Sequence, residues 1–136
     1  MSLAVGIPLC NERSVVLETL RAIAASTLRP ERVVVVDNGD EEWVFLRDLS
    51  PVPLRIVRPV TNLGVAASWN LLRQLTRSMD LVLLNDDCAV ASDTFERMLT
   101  DTAPVVLAWG FACFRMRAEV WESVGEFDEA FYPAYY

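Results

Sequence analysis

LVLLNDDCAV, residues 81–90, is the stretch on which the fold turns. A run of residues suited to a buried strand ends abruptly in Asn85, Asp86 and Asp87. Carboxylates crowded at the tip of an apolar strand repel one another and lose hydration, so something positive is expected beside them.

Working outward from that strand, similar apolar runs alternate with helical ones. LAVGIP (3–8) and RVVVVD (32–37) are short and β-branched, as in a parallel sheet covered on both faces. Between them, SVVLETLRAIAAS (14–26) lines Val16, Leu20, Ile23 and Ala24 along one face, with Asn11 or Ser14 as its N-cap. A helix over 42–49, a strand over 54–59, a helix over 65–77, the strand 80–85 and a helix over 93–101 capped by Ser92 complete the alternation. This pattern predicts an open α/β fold with three layers (α/β/α) and a mostly parallel sheet. Farther on, PVVLAW and FACFRMR predict adjacent strands and AEVWESV a short helix, with Trp109 and Trp121 in the core. The aromatic tail, with Phe127, Phe131, Tyr132, Tyr135 and Tyr136, either covers the sheet or leaves an apolar patch through which two copies form a homodimer. At 136 residues the chain fits one domain, 1–136.

Composition excludes several classes. The chain has neither histidine nor lysine, which removes Ser-His and Cys-His nucleophile pairs, His metal motifs, the P-loop and Schiff-base chemistry. Net charge is −7, and residues 61–136 hold eleven acids against five arginines. No basic stripe exists to bind a nucleic-acid backbone, whereas an acidic half suits a divalent cation. Three separated cysteines fit reduced thiols, no apolar run is long enough for a transmembrane segment, and the first residues lack the marks of a secretory signal. The expected location is cytoplasmic.

In a doubly wound sheet, ligands bind beyond the carboxyl ends of the strands. Those ends carry Pro8-Leu9-Cys10-Asn11-Glu12, Asp37-Asn38-Gly39-Asp40, Thr61-Asn62-Leu63-Gly64 and Asn85-Asp86-Asp87, four sets of polar groups on one rim. Oxygen ligands of this kind suit Mg²⁺ or Mn²⁺, which bridge substrate phosphates. Each set also has a plainer explanation: a turn, a helix cap or, for Asn70, a solvated helix position. Their coincidence on one rim favours a site.

The order IPLCNE, VVVVDNGDEE, NLGVAASWN, LLNDDCAV and FRMRAEVWESVGEFDEAFYPAYY resembles the family 2 glycosyltransferases of the GT-A fold, a Rossmann-like nucleotide-diphospho-sugar transferase architecture, and especially their rhamnosyltransferase-like members. The resemblance implies an inverting, metal-dependent hexosyl transfer from a UDP- or dTDP-sugar to an acceptor hydroxyl. It implies that Pro8, Leu9, Cys10 and Asn11 border the base, that Asp37 accepts from the imide N–H of uracil or thymine, and that Asn62, Gly64 and Asn70 lie near the nucleotide. Asp86 would hold the ribose and Asp87 would bind the metal on the diphosphate, with Asn85, also at the nucleotide, standing where the family's DxD motif has Asp. The family's catalytic base follows an aromatic stretch like FYPAYY, so the base and the acceptor part are expected beyond Tyr136, with Asp128 or Glu129 as substitutes within the chain, Asp128 ahead. The alternative is a non-catalytic module that binds nucleotide sugar without the base.

Overall fold

In a computed structural model, residues 2–10, 13–39 and 46–130 are described. Strands β1 (Leu3–Leu9), β2 (Arg32–Asp37), β3 (Arg55–Val57) and β4 (Asp80–Leu84) run parallel, separated by helices α1 (Arg13–Ala24), α2 (Leu46–Leu49) and α3 (Gly64–Leu75). After helix α4 (Thr94–Thr100), strands β5 (Val105–Leu107) and β6 (Cys113–Met116) join the sheet antiparallel, and helix α5 (Ala118–Val124) follows. The sheet order is β3-β2-β1-β4-β6-β5. From β1 the chain winds outward through β2 and β3, then crosses back to β4 on the other side, so the direction of winding reverses between β1 and β4. That reversal leaves a crevice at the strand tips.

Strand alternation sorts the core into two slabs. Leu3, Val5, Ile7 and Leu9 of β1 pack with Val33, Val35, Val82 and Leu84 against Val16, Leu20 and Ile23 of α1 and Phe95, Met98 and Leu99 of α4. The opposite face joins Ala4, Val34, Val36, Leu81, Leu83, Phe114 and Met116 to Trp69 and Leu72 of α3 and Trp121 of α5. The three-layer α/β expectation therefore holds. Gly6 faces α3 so closely that a Cβ there would stand 3.1 Å from both Leu72 methyls. Among the described residues the aromatic side of the core centres on Trp69, whose ring lies 5.2 Å from Phe114 and 4.8 Å from Phe127.

Arg115 on β6 is a buried cation with no carboxylate as its main partner. It is 1 % exposed and donates through Nε and Nη2 to the Met98 carbonyl at 3.2 and 2.8 Å, and through Nη2 to the Asp101 carbonyl at 2.7 Å. These are carbonyls of the last turn of α4, where the helix dipole favours positive charge. Burial lowers the Arg115 pKa, yet a guanidinium stays charged at any ordinary pH.

Several local expectations differ from the structure. The N-cap of α4 is Asp93, without a side-chain cap bond, and not Ser92. The Ser92 carbonyl is instead engaged by Thr27, through its N–H at 2.8 Å and its hydroxyl at 3.2 Å, which ties the end of α1 to the start of α4. Trp121 is core, but Trp109 is 51 % exposed because it follows the short edge strand β5 into a turn. The homodimer tail 131–136, Asn11 and the first half of the expected 42–49 helix lie outside the described residues, and the second half is α2.

Three outcomes follow from this packing. Gly6→Val is expected to lower unfolding free energy by about 1–3 kcal/mol, as overpacking does, seen as a lower urea midpoint at unchanged slope. Cys10 is exposed while Cys88 and Cys113 are buried, and burial, the largest cause, pushes the Cys113 thiol up to about 12 from its ordinary 9.0. At pH 8 one thiol per native chain should react with Ellman's reagent and three after unfolding. Because the unfolded chain ionises Cys113 first, the stability this thiol contributes is complete below pH 9.0 and is lost as pH climbs towards about 12, checked by urea titrations across that window.

Candidate functional site

The acidic tip of β4 is a turn. The Cys88 N–H donates to the Asn85 carbonyl at 3.2 Å, which places Asp86 and Asp87 at the two central positions. This geometry gives the adjacent acids opposite roles. Asp86 points inward, 5 % exposed, and its Oδ2 accepts the Cys10 backbone N–H at 3.1 Å. Asp87 is exposed, and no hydrogen bond or ion pair engages it among the described residues. The turn is held from two further sides: Thr19 of α1 donates its hydroxyl to the Asp86 carbonyl at 2.8 Å, and the Asn85 N–H donates to the Ala112 carbonyl at 2.8 Å.

Beside the turn lies a cavity of about 210 Å³ lined by Pro8, Cys10, Asn38, Asn62, Gly64, Val65, Asn85 and Asp86. Four strand tips contribute to it, as expected of the rim. Asn38 organises its floor. Its N–H donates to the Leu9 carbonyl at 2.7 Å, its Oδ1 accepts the Leu63 N–H at 3.0 Å, and its Nδ2 donates to the Ser68 hydroxyl at 2.8 Å. Asn62 closes an Asx turn in which its Oδ1 accepts the Gly64 N–H at 2.9 Å, and Gly64 enters α3 at φ +77°, where a Cβ would be strained. The two asparagines thus shape the N-terminus of α3 at the cavity wall, an end whose dipole favours phosphate.

Some expected site residues stand elsewhere. The Leu9 side chain is fully buried in the α1 slab, since alternation turns it away from the face shared by Pro8 and Cys10; only its carbonyl serves the site. Asp37 is 2 % exposed and lies just behind the cavity wall. Its Oδ1 accepts the Gly39 N–H at 2.9 Å and its Oδ2 meets Arg58 at 3.4 Å, while Arg58 also donates to the Gly39 carbonyl at 3.3 Å. Asn70 is neither solvated nor in the cavity wall. Its Oδ1 accepts the Phe127 N–H at 2.9 Å and its Nδ2 donates to the Phe127 carbonyl and to Glu129 Oε2, both at 3.0 Å, so it clamps the 127–129 segment onto α3. Asp128 is exposed, with Oδ1 accepting the Ala130 N–H at 2.9 Å, and does not line the cavity.

Sequence reasoning gave no role to Thr19, Ser68 or Arg58. Their signal was positional only: a hydroxyl or guanidinium on the turn of the chain facing the rim. Among the described residues no cluster of three or more acids or cysteines could enclose a metal ion. The unengaged Asp87 carboxylate beside the inward Asp86 nevertheless fits Mg²⁺ or Mn²⁺, which bind through one or two carboxylates and take their other ligands from phosphate and water.

Known proteins share this fold. The chain is 26% identical over 97 residues to an uncharacterized glycosyltransferase of Haemophilus influenzae, a match covering 71% of this chain and 33% of that protein. The mannosyltransferase PcManGT from Pyrobaculum calidifontis, solved with GDP-Man and Mn²⁺, superimposes with a TM-score of 0.80 at 20% identity, over 93% of this chain and 47% of that one. Staphylococcus aureus TarS 1–349 in complex with UDP gives a TM-score of 0.76 at 15% identity, over 96% and 51%. The chain therefore spans about a third of the curated relative and half of these structures, with which it shares the GT-A fold. With the family description "Glycosyl transferase family 2" matching residues 4–121, the chain belongs to glycosyl transferase family 2.

Proposed function

We propose that the chain binds the donor for an inverting, metal-assisted glycosyl transfer from a UDP- or dTDP-sugar to an acceptor hydroxyl. The observation that carries this reading is the Asn85–Cys88 turn, which puts one acid into the four-tip cavity and leaves its neighbour exposed. The base would lie over Pro8 and Cys10, with the Asp37 carboxylate behind accepting from its imide N–H. The ribose would meet Asp86, and the diphosphate would run between Asp87 and the N-terminus of α3. A divalent ion held by Asp87 would neutralise the charge developing on the leaving diphosphate. Inversion requires a carboxylate on the opposite face to take the acceptor proton as the hydroxyl attacks.

A second reading, a nucleotide-sugar binding module without turnover, is favoured by one finding: Asp86 is the sole acid in the cavity wall among the described residues. Asp128 remains the in-chain candidate base, since Glu129 is engaged by Asn70. Cytoplasmic residence is part of the proposal, supported by three free thiols. No helix among the described residues is long and apolar enough to cross a membrane.

Calorimetry with Mn²⁺ is expected to show binding of UDP or dTDP ahead of GDP and CDP, and bound nucleotide should slow labelling of the exposed Cys10. Asp87→Ala should weaken the Mn²⁺-dependent affinity by about tenfold, roughly 1.4 kcal/mol, with stability within about 0.5 kcal/mol of the parent because the side chain is exposed. Absence of nucleotide binding, with Asp87→Ala behaving as the parent, rejects the donor site. A preference for GDP rejects the pyrimidine assignment alone. Hydrolysis and transfer assays on a nucleotide-binding chain separate the two readings, since the module binds without turnover.

A further inference from the structure

A second cavity, about 420 Å³, lies between α4 and the outer edge of β5. One wall is Val106, Leu107, Ala108 and Trp109; the other carries Thr94, Arg97 and two aspartates, Asp93 and Asp101. We propose that this groove binds a neutral oligosaccharide, the acceptor glycan, and this rests on the glycosyl-transfer reading above.

Its position supports a link to the donor cavity. Leu107 pairs with Phe114, which pairs with Leu83, so the end of β5 reaches the same rim as the tip of β4. The turn after β5, closed by the Ala112 N–H to the Trp109 carbonyl at 3.1 Å with Gly110 at φ +53°, is the one whose Ala112 carbonyl holds Asn85. The loop that places Asn85 and Asp86 in the donor cavity then supplies Ala91, Asp93 and Thr94 to the groove. The acid turn thus borders the first cavity and leads directly along the chain into the wall of the groove.

Its chemistry selects the occupant. The indole of Trp109 is half exposed, and an aromatic face presents a large rigid apolar surface to the C–H side of a sugar ring. Across the groove, carboxylates, a guanidinium and a hydroxyl offer acceptors and donors to sugar hydroxyls. Two acids against one arginine disfavour a phosphorylated or otherwise anionic ligand. The walls are also held in advance, since the buried Arg115, cross-strand partner of Val106, ties the Met98 and Asp101 carbonyls of the helical wall to β6. Such preorganisation lowers the cost of binding.

The ¹⁵N-labelled chain titrated with millimolar maltotriose, chitotriose and mannotriose tests this by NMR. At least one sugar should move the Trp109 indole N–H together with the amides of Thr94, Arg97 and Leu107, and Trp109→Ala should weaken that binding by about tenfold while UDP–Mn²⁺ binding is unchanged. The proposal is overturned if none of the three sugars moves these signals, if Trp109→Ala binds as the parent does, or if the signals move with protein concentration alone, which would make the groove a contact between two copies. UDP with Mn²⁺ titrated into the same samples reads the donor site separately. Nucleotide binding without sugar binding sinks the groove and spares the donor reading; sugar binding without nucleotide binding removes the acceptor role and sinks the proposal.

Discussion

The contact between the Asp86 carboxylate and the Cys10 backbone N–H, at 3.1 Å, joins the tips of β4 and β1 where the winding of the sheet reverses. A buried carboxylate is tolerated there because it accepts a backbone donor that would otherwise be lost past the end of β1. The same contact selects which of two adjacent acids faces the cavity. With Asp86 drawn inward by Cys10 and its carbonyl held by Thr19, Asp87 has only the solvent side of the turn.

Polar order at this rim contrasts with the plain packing below it. The slabs around β1 and β4 are Val, Leu and Ile, which need only alternate to be sorted between the two faces of the sheet. At the tips, Asn38 connects β1, the loop before α3 and Ser68 through one side chain and its own N–H. With its Oδ1 and Nδ2 each bonded, the Asn38 side chain is held at both ends of its amide, and the cavity wall around it is positioned before any ligand arrives. Arg115 plays the corresponding part on the far side, where a buried guanidinium anchors the end of α4 against β6.

Asn70 shows how a residue associated with one part of a site can serve another. Both ends of its amide hold the 127–129 segment, whose Phe127 also packs against Trp69 and Trp121 with centroids 4.8 and 5.3 Å away. Helix α3 therefore offers its N-terminus to the cavity at the strand tips and, a turn and a half along, holds the 127–129 segment.

Sequence alone determined the alternation of strands and helices, the parallel character of β1 to β4 and the gathering of four polar tips on one rim. Each is a local property: β-branched runs, helical periodicity, and the rule that ligands meet parallel sheets at their carboxyl ends. Tertiary structure decided the fate of individual side chains. Leu9 and Cys10 are neighbours, yet one is core and the other exposed; Asp86 and Asp87 are neighbours, yet one is bonded inward and the other is not. Trp109 and Trp121 carry the same apolar surface, but only Trp121 has a helix and sheet to cover it. These outcomes hang on partners 57 to 76 residues away along the chain, such as Asp86 for Cys10 and Phe127 for Asn70, and no local pattern encodes such a partner.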